Sequence, residues 1–228
     1  MTRLRALTHF RNELVAKLEI QHWGTVPYPE ALERQRALVE KRKSGVIPDQ
    51  LILLEHPAVY TIGARKDAEK HLIWSTVKAA DSGIDIVSTN RGGDITYHGP
   101  GQLVVYPIID LSEKRDLHAY LRNLEEVLIR ILGRFDLEGA RREGLTGIWC
   151  EHRKIAALGV AVKSWITYHG FSLNVDPDLK HFSGIVPCGI AEDEGTVTSM
   201  RVELAEAPVW QAVEAAVVQC FMEVFECG

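Results

Sequence analysis

None of the four cysteines of this 228-residue chain, Cys150, Cys188, Cys220 and Cys227, forms a CxxC pair. A chain of this size with no secretion signal needs no disulfide staples, so all four read as thiols. Its nine histidines fall into no HExxH or CxxC…H pattern, and no metal is expected. Long apolar runs are missing too. None approaches the roughly 20 residues of a membrane helix, and the opening MTRLRALTHFRNELVAKL has neither a signal-peptide h-region nor a small-residue cleavage site. Its arginines suit a mitochondrial presequence, but Glu13 and Glu19 argue against one, leaving a short N-terminal extension as the simpler reading. Charge of one sign is never concentrated: 31 acidic against 26 basic residues give a net −5 with no block of either, so no nucleic-acid footprint is expected. GxxxxGK[ST] and GxGxxG are both absent, which removes the phosphate-cradling and dinucleotide motifs.

What is there is enough apolar residue, 46% of the chain, to bury a sizeable core. PEALERQRALVEKRKSG opens on proline, sets Ala31, Leu32, Leu38 and Val39 on one side and ends in basic residues and Gly45, which predicts a helix. QLILLEH reads as a buried strand, STVKAADSG as a short helix, and IDIVSTN and LVVYPIIDL as strands. Leu117, Tyr120, Leu121, Leu124, Leu128 and Ile131 follow helical spacing. GIWC, KIAALGVAVK and ITYHGFSLNV, separated by the turns EHR and SW, predict a three-stranded antiparallel meander. In its last strand Phe171, Leu173 and Val175 alternate with Ser172 and Asn174, a core face and a polar face. The chain closes on a helix with Pro208 at its first position and Val209, Val213, Ala216, Val217, Cys220, Phe221 and Val224 as an apolar stripe. Without repeats or linkers, one α+β domain over residues 1–228 is expected, the first 17 residues being the extension.

Chemistry concentrates in RGGDITYHGPGQ. Four glycines beside Arg91, Asp94, Tyr97 and His98 are more backbone freedom than a hairpin needs, which predicts a ligand loop. His98 and His169, each in a YHG triplet, suit either a hydrogen-bonded structural role or catalysis. Lys154 taken alone is a solvated strand end. Cys150 and Cys220 read as core and Cys227 as a frayed terminus. Cys188, between Pro187 and Gly189, belongs to a turn that a substrate can reach. A nucleophilic thiol must be ionised by a nearby cation or helix N-terminus, and Lys154, His98, Arg91 and His169 are the candidates. From spacing alone Cys188 is as readily a quiet turn residue.

RGGDITYHGPGQLVVYPIIDL, GIWC…RKIAALGVAV, HGFSLNV and IVPCGI…VTS, in this order, resemble the lipoyl(octanoyl) transferases, from about Leu18 to about Phe225. The resemblance implies the fold of lipoate-protein ligase and of the biotin protein ligase catalytic domain, a mixed, largely antiparallel sheet flanked by helices. It implies that Cys188 carries an acyl thioester and that Lys154 lowers its pKa. It places substrate-binding segments on Arg91, Gly92, Gly93, Asp94, Ile95, Thr96, Tyr97 and His98, on Ala157, Leu158 and Gly159, and on Gly170, Phe171 and Ser172, the last standing where members often have alanine. The implied reaction moves an octanoyl group from octanoyl-acyl carrier protein to a lysine of apo lipoyl domains, those of 2-oxoacid dehydrogenase complexes and the glycine cleavage H protein. No resident cofactor is implied, because phosphopantetheine arrives on the carrier. The resemblance also implies a cytoplasmic or organellar setting, and with no export signal read in the sequence the cytoplasm is expected. An ATP-dependent lipoate-protein ligase, a cysteine-dependent thioesterase or amidase, and a non-catalytic binding protein are the competing readings. A ligase would need no cysteine nucleophile.

Overall fold

The computed structural model describes residues 18–186 and 195–226. In chain order the elements are β1 (Leu18–Thr25), α1 (Tyr28–Lys43), β2 (Asp49–Glu55), β3 (Val59–Ile62), α2 (Thr76–Asp81), β4 (Asp85–Ser88), β5 (Thr96–His98), β6 (Gln102–Ile108), α3 (Leu117–Gly133), β7 (Ala140–Arg142), β8 (Leu145–Cys150), β9 (Arg153–Lys163), β10 (Ile166–Asn174), β11 (Thr196–Val197), α4 (Met200–Leu204) and α5 (Trp210–Phe225). Short 3-10 turns cover Ala68–His71 and Leu179–Gly184. The large sheet runs β1-β2-β6-β10-β9-β8-β7, with β11 added beside β9. Its pairs are antiparallel except β1 with β2 and β11 with β9. A second sheet, β4-β3-β5, has one parallel and one antiparallel pair. This is the mixed, largely antiparallel sheet flanked by helices that the resemblance implied.

The uninterrupted apolar runs of β2 and β6 follow from a sheet covered on both faces. Leu51, Leu53, Leu103 and Val105 face a core shared with α3 and α5, while Ile52, Leu54, Val104, Tyr106 and Ile108 face a second cluster closed by Tyr28, Ala31, Leu32 and Val39 of α1. A third cluster, with Tyr60, Ile95, Tyr97, Phe182 and Ile185, joins the small sheet to the turn at Leu179–Gly184. α3 begins where Asp116 accepts a hydrogen bond from the Ala119 N–H at 2.9 Å, and its predicted stripe is buried at Tyr120, Leu124, Leu128 and Ile131.

Two expectations are revised. The polar face of β10 is not a wet face: Ser172 and Asn174 are buried, Asn174 between Gln102 and the Thr198 carbonyl at 2.9 Å each, because the small sheet and loops cover it. Pro208 precedes the last helix instead of opening it. Val209 is the N-cap and is exposed, and Trp210 is the first helical residue. The five positions of the predicted stripe from Val213 to Phe221 are buried. Cys150 and Cys220 are buried thiols, and burial raises the pKa of both, Cys150 to about 11. Cys188, Cys227 and the N-terminal extension lie outside the described residues.

Candidate active site

A cavity of about 440 Å³ lies between the large sheet and the glycine-rich loop of residues 91–98, within the size range of small-molecule sites. Its walls come from β6 (Val104, Tyr106), β9 (Ala157, Leu158, Gly159), β10 (His169, Gly170, Phe171, Ser172), the loop (Arg91, Gly93, Asp94, Thr96, His98), Tyr28 of α1, Arg65, and the β7–β8 turn with its neighbours (Gly144, Leu145, Thr146). Eleven of the fourteen residues to which the resemblance assigned binding are here. Gly92, Ile95 and Tyr97 are not in the lining. Gly92 ties the loop to β9 through its N–H to the Val160 carbonyl at 2.8 Å. Ile95 and Tyr97 are packed in the third cluster, Tyr97 with its hydroxyl 2.8 Å from His181 Nδ1, because alternation along β5 sends Thr96 and His98 one way and Tyr97 the other.

The loop's glycines have a structural cause as well as an open face. A Cβ on Gly159 would stand 2.7 Å from the Gly92 carbonyl oxygen, so loop and β9 approach closer than a side chain allows. Arg91 is buried and donates to the Thr61 carbonyl at 2.6 Å, to Thr61 Oγ1 at 3.0 and 3.1 Å, and to its neighbour's carbonyl at 3.1 Å. Asp94 accepts from the Ile95 N–H and pairs with His71 Nδ1, both at 2.7 Å, and with Arg65 at 3.1 Å. Both residues hold the loop rigid.

Lys154 is not a solvated strand end. It is 4% exposed, and its Nζ donates to the Thr146 carbonyl at 2.7 Å and lies 5.6 Å from the centre of the Trp149 ring. The space for its side chain exists because residue 147 is glycine, at φ 126°: a Cβ there would meet Lys154 Cε at 2.5 Å and the Ala156 carbonyl oxygen at 2.7 Å. Lys154 lines a small recess that shares Thr96, Ala157 and Ser172 with the cavity. Its backbone is pinned by β8 on one side and, on the other, by β11 and the Thr198 N–H at 2.9 Å.

At the other end of the β10 wall four rings converge. Tyr28 stacks on His98 and His169 with centroids 6.0 and 6.4 Å apart, and Tyr106 sits edge-on to His169 at 6.3 Å. His56 supports them from behind, accepting from the Tyr106 hydroxyl at 2.7 Å through Nε2 and donating to the Val26 carbonyl at 2.6 Å through Nδ1. Gln35 on α1 accepts from the His169 N–H at 2.7 Å, holding that residue at φ 57°. Burial is the main reason these imidazoles stay neutral. It lowers His56 to about 4 and, with Arg91 and Arg36 nearby, His169 to about 3; His98 is held well below its ordinary value by burial, His56 and Arg91. Protonation of either YHG histidine is thus strongly opposed. Tyr28, Tyr106 and Thr146 carried no sequence signal, since each sits in a run that also reads as ordinary core, turn or strand.

Residues 27–222 match the lipoyl protein ligase A/B catalytic domain, and the chain belongs to that family. Among curated relatives, an octanoyltransferase of Gloeobacter violaceus is 48% identical over 89% of this chain and 87% of its own length. The octanoyltransferase of Rubrobacter xylanophilus is 50% identical over 88% and 90%. Among solved structures, the bipartite lipoate protein ligase of Thermoplasma acidophilum superposes with a TM-score of 0.73 at 18% identity, over 92% of this chain and 84% of that one. The biotin protein ligase of Aquifex aeolicus superposes at 0.52 with 11% identity, over 92% and 68%. These last two similarities establish the fold. None of the described helices is long and apolar enough to cross a membrane.

Proposed function

We propose that this chain is an acyltransferase of protein lipoylation. It carries an octanoyl group from the phosphopantetheine thioester of acyl carrier protein to a lysine of an apo lipoyl domain, through a thioester on Cys188. Family membership and the relatives' octanoyltransferase names support the reaction class. The observation that carries the assignment of roles is the buried Lys154 ammonium, seated on the Thr146 carbonyl in a recess continuous in lining with the cavity. Such a cation favours a thiolate beside it.

In the first step the Cys188 thiolate attacks the donor carbonyl carbon. A new C–S bond forms, the pantetheine C–S bond breaks, and Lys154 gives a proton to the departing sulfur. The acyl chain meanwhile lies along Ala157, Leu158, Phe171 and Val104. In the second step the acceptor lysine attacks the enzyme thioester: a C–N bond forms, the Cys188 C–S bond breaks to return the thiolate, and the second proton of the attacking nitrogen passes to solvent. The acceptor's ammonium, with an ordinary pKa near 10.4, must lose a proton first, and neutral Lys154 takes it. Amide formation from a thioester is downhill, so the cycle as written consumes no ATP and calls on no metal or resident cofactor. Lys154 suits this role better than His98 or His169, whose surroundings oppose the protonated state a base must reach. The recipients are the lipoyl domains of 2-oxoacid dehydrogenase complexes and the H protein, in the cytoplasm.

Intact mass spectrometry after incubation with octanoyl-acyl carrier protein, with and without ATP and a lipoyl domain, tests the proposal. One octanoyl adduct on Cys188 and ATP-independent passage to the lipoyl domain are expected. An adduct persisting in Cys188→Ala refutes the nucleophile. Lys154→Arg is expected to retain alkylation of Cys188 near neutral pH but transfer far more slowly, because arginine keeps the charge and does not release a proton. Lys154→Met is expected to lose both. An unchanged alkylation profile and transfer rate in Lys154→Met would return the role to a histidine.

A further inference from the structure

The ring-lined end of the cavity is an unusual terminus for a saturated chain. It can be placed relative to the chemistry: Ser172, shared with the Lys154 recess, and His169 are three residues apart on β10, roughly 10 Å at the rise of an extended strand, about the length of an extended eight-carbon chain. An acyl group with its carbonyl beside Ser172 therefore brings its last carbon to the rings.

The hydrogen-bond pattern fixes what these rings offer. Gln102 Nε2 donates to the Tyr97 carbonyl at 3.1 Å and to Asn174 Oδ1 at 2.9 Å, so its Oε1 accepts, and His98 Nδ1–H is the donor to it at 2.7 Å. His98 Nε2 is then a lone pair, with no hydrogen-bond partner among the described residues, on a side chain 6% exposed in the cavity wall. His169 Nε2–H donates to Asn90 Oδ1 at 3.2 Å, and its Nδ1 faces the Tyr28 hydroxyl at 3.3 Å. The Tyr106 proton goes to His56 Nε2 and the Tyr28 proton to Thr89 Oγ1 at 3.2 Å or to His169. The ring end thus presents acceptors, with the available donors committed elsewhere. The cavity as a whole has room for more than an octyl chain: at about 30 Å³ per carbon, near water's share of liquid volume, an eight-carbon chain fills roughly 240 Å³ of the approximately 440 Å³ present.

We infer that this cavity takes acyl chains ending in a hydrogen-bond donor, specifically an ω-hydroxyacyl group, with His98 Nε2 accepting from the terminal hydroxyl. The inference rests on reading the cavity as the acyl site. A terminal carboxylate would face the ring lone pairs, with the nearby Arg91 guanidinium already hydrogen-bonded to Thr61 and the Gly92 carbonyl, and a terminal ammonium would face that like charge; a neutral hydroxyl meets His98 Nε2, an acceptor with no partner among the described residues.

The test is a pair of neutral ligands of equal size, 8-hydroxyoctanamide and nonanamide, titrated calorimetrically into the full chain. An apolar cavity end rejects the hydroxyl by tenfold or more. The expected result is an affinity for 8-hydroxyoctanamide at least equal to one third of that for nonanamide; a lower ratio, or no binding of either, overturns the inference. In His98→Leu the ratio is expected to fall at least tenfold below that of the unaltered chain, and an unchanged ratio would remove His98 as the acceptor. The unaltered chain alone decides the main point should that variant not fold. Octanoyl transfer measured separately keeps the two readings apart: hydroxyl acceptance without transfer sinks the acyltransferase proposal, and transfer with hydroxyl rejection sinks only this one.

Discussion

Lowering the pH from 7 to 5 should cost this protein about 4 kcal/mol of stability through two histidines. In the unfolded chain each titrates near 6.5, whereas the folded protein holds His56 at about 4 and His169 at about 3, chiefly by burial. A base whose folded pKa is depressed is neutral in both states above 6.5, so nothing is lost there. Below 6.5 the unfolded state gains protons the folded state refuses, and stability falls until pH reaches the folded values. At pH 5 the unfolded chain is almost fully protonated at both sites and the native chain scarcely at all, which gives about 1.9 kcal/mol per histidine relative to pH 7. His98 adds to the loss in the same direction. Asp49, raised by burial, works the other way as pH falls, while Glu126, lowered by Arg130 and Arg141, gives up its contribution only below the ordinary carboxylate range. Urea unfolding followed at half-unit steps between pH 7.5 and 4.5 measures the slope, and His169→Gln should remove about 1.9 kcal/mol of the difference between pH 7 and pH 5. A free energy of unfolding at pH 5 within about 1 kcal/mol of that at pH 7 would refute the reasoning.

Gly147→Ala should push the Lys154 ammonium off the Thr146 carbonyl and lower octanoyl transfer at least tenfold while the chain still folds, measured as kcat alongside a thermal melt; an unchanged kcat would show that the ammonium's seat is unimportant. Gln35→Leu leaves the buried His169 N–H without its acceptor and should destabilise by about 1–3 kcal/mol in urea; a loss below half of that would mean the N–H finds another partner. If Leu158 and Phe171 line the acyl slot, removing two methylenes from the donor should lower kcat/KM roughly tenfold, at about 0.8 kcal/mol each. Equal values for butanoyl, octanoyl and palmitoyl donors would exclude a slot.

Helices α1, α3 and α5 and the β8–β10 meander were legible because each runs long enough to show its period and is bounded by Gly, Pro or a capping side chain. β5 was read as loop because three residues cannot display alternation inside a glycine-rich stretch, and β3, four residues between Pro57 and Gly63, left no pattern either. β1, an edge strand whose exposed and half-buried positions mix, lacks the apolar run that marked β2. From the residues alone the site was legible only in the glycine-rich loop; the β9 and β10 wall, residues 157–159 and 170–172, came from the resemblance. That Lys154 is buried follows from Gly147 and the Thr146 carbonyl, a contact across a hairpin for which a lysine at a strand end gives no warning. Tyr28 and Tyr106 reach the cavity from α1 and β6, elements whose patterns announce only packing.

The order of strands in the large sheet also sets when the site can exist. β7 to β10 form by successive neighbouring hairpins, but β6 pairs with β10 only after α3 and three strands have intervened, and β2 pairs with β6 across more than forty residues. Contacts of such sequence separation form late, because a long loop must close before they gain anything. A chain emerging vectorially from a ribosome therefore holds RGGDITYHGPGQ long before it holds the wall of β9 and β10 on which that loop rests, and Arg91, 6% exposed in the finished structure, has in the meantime only Thr61 and the Gly92 carbonyl to bind, its flank that later meets Gly159 still in solvent.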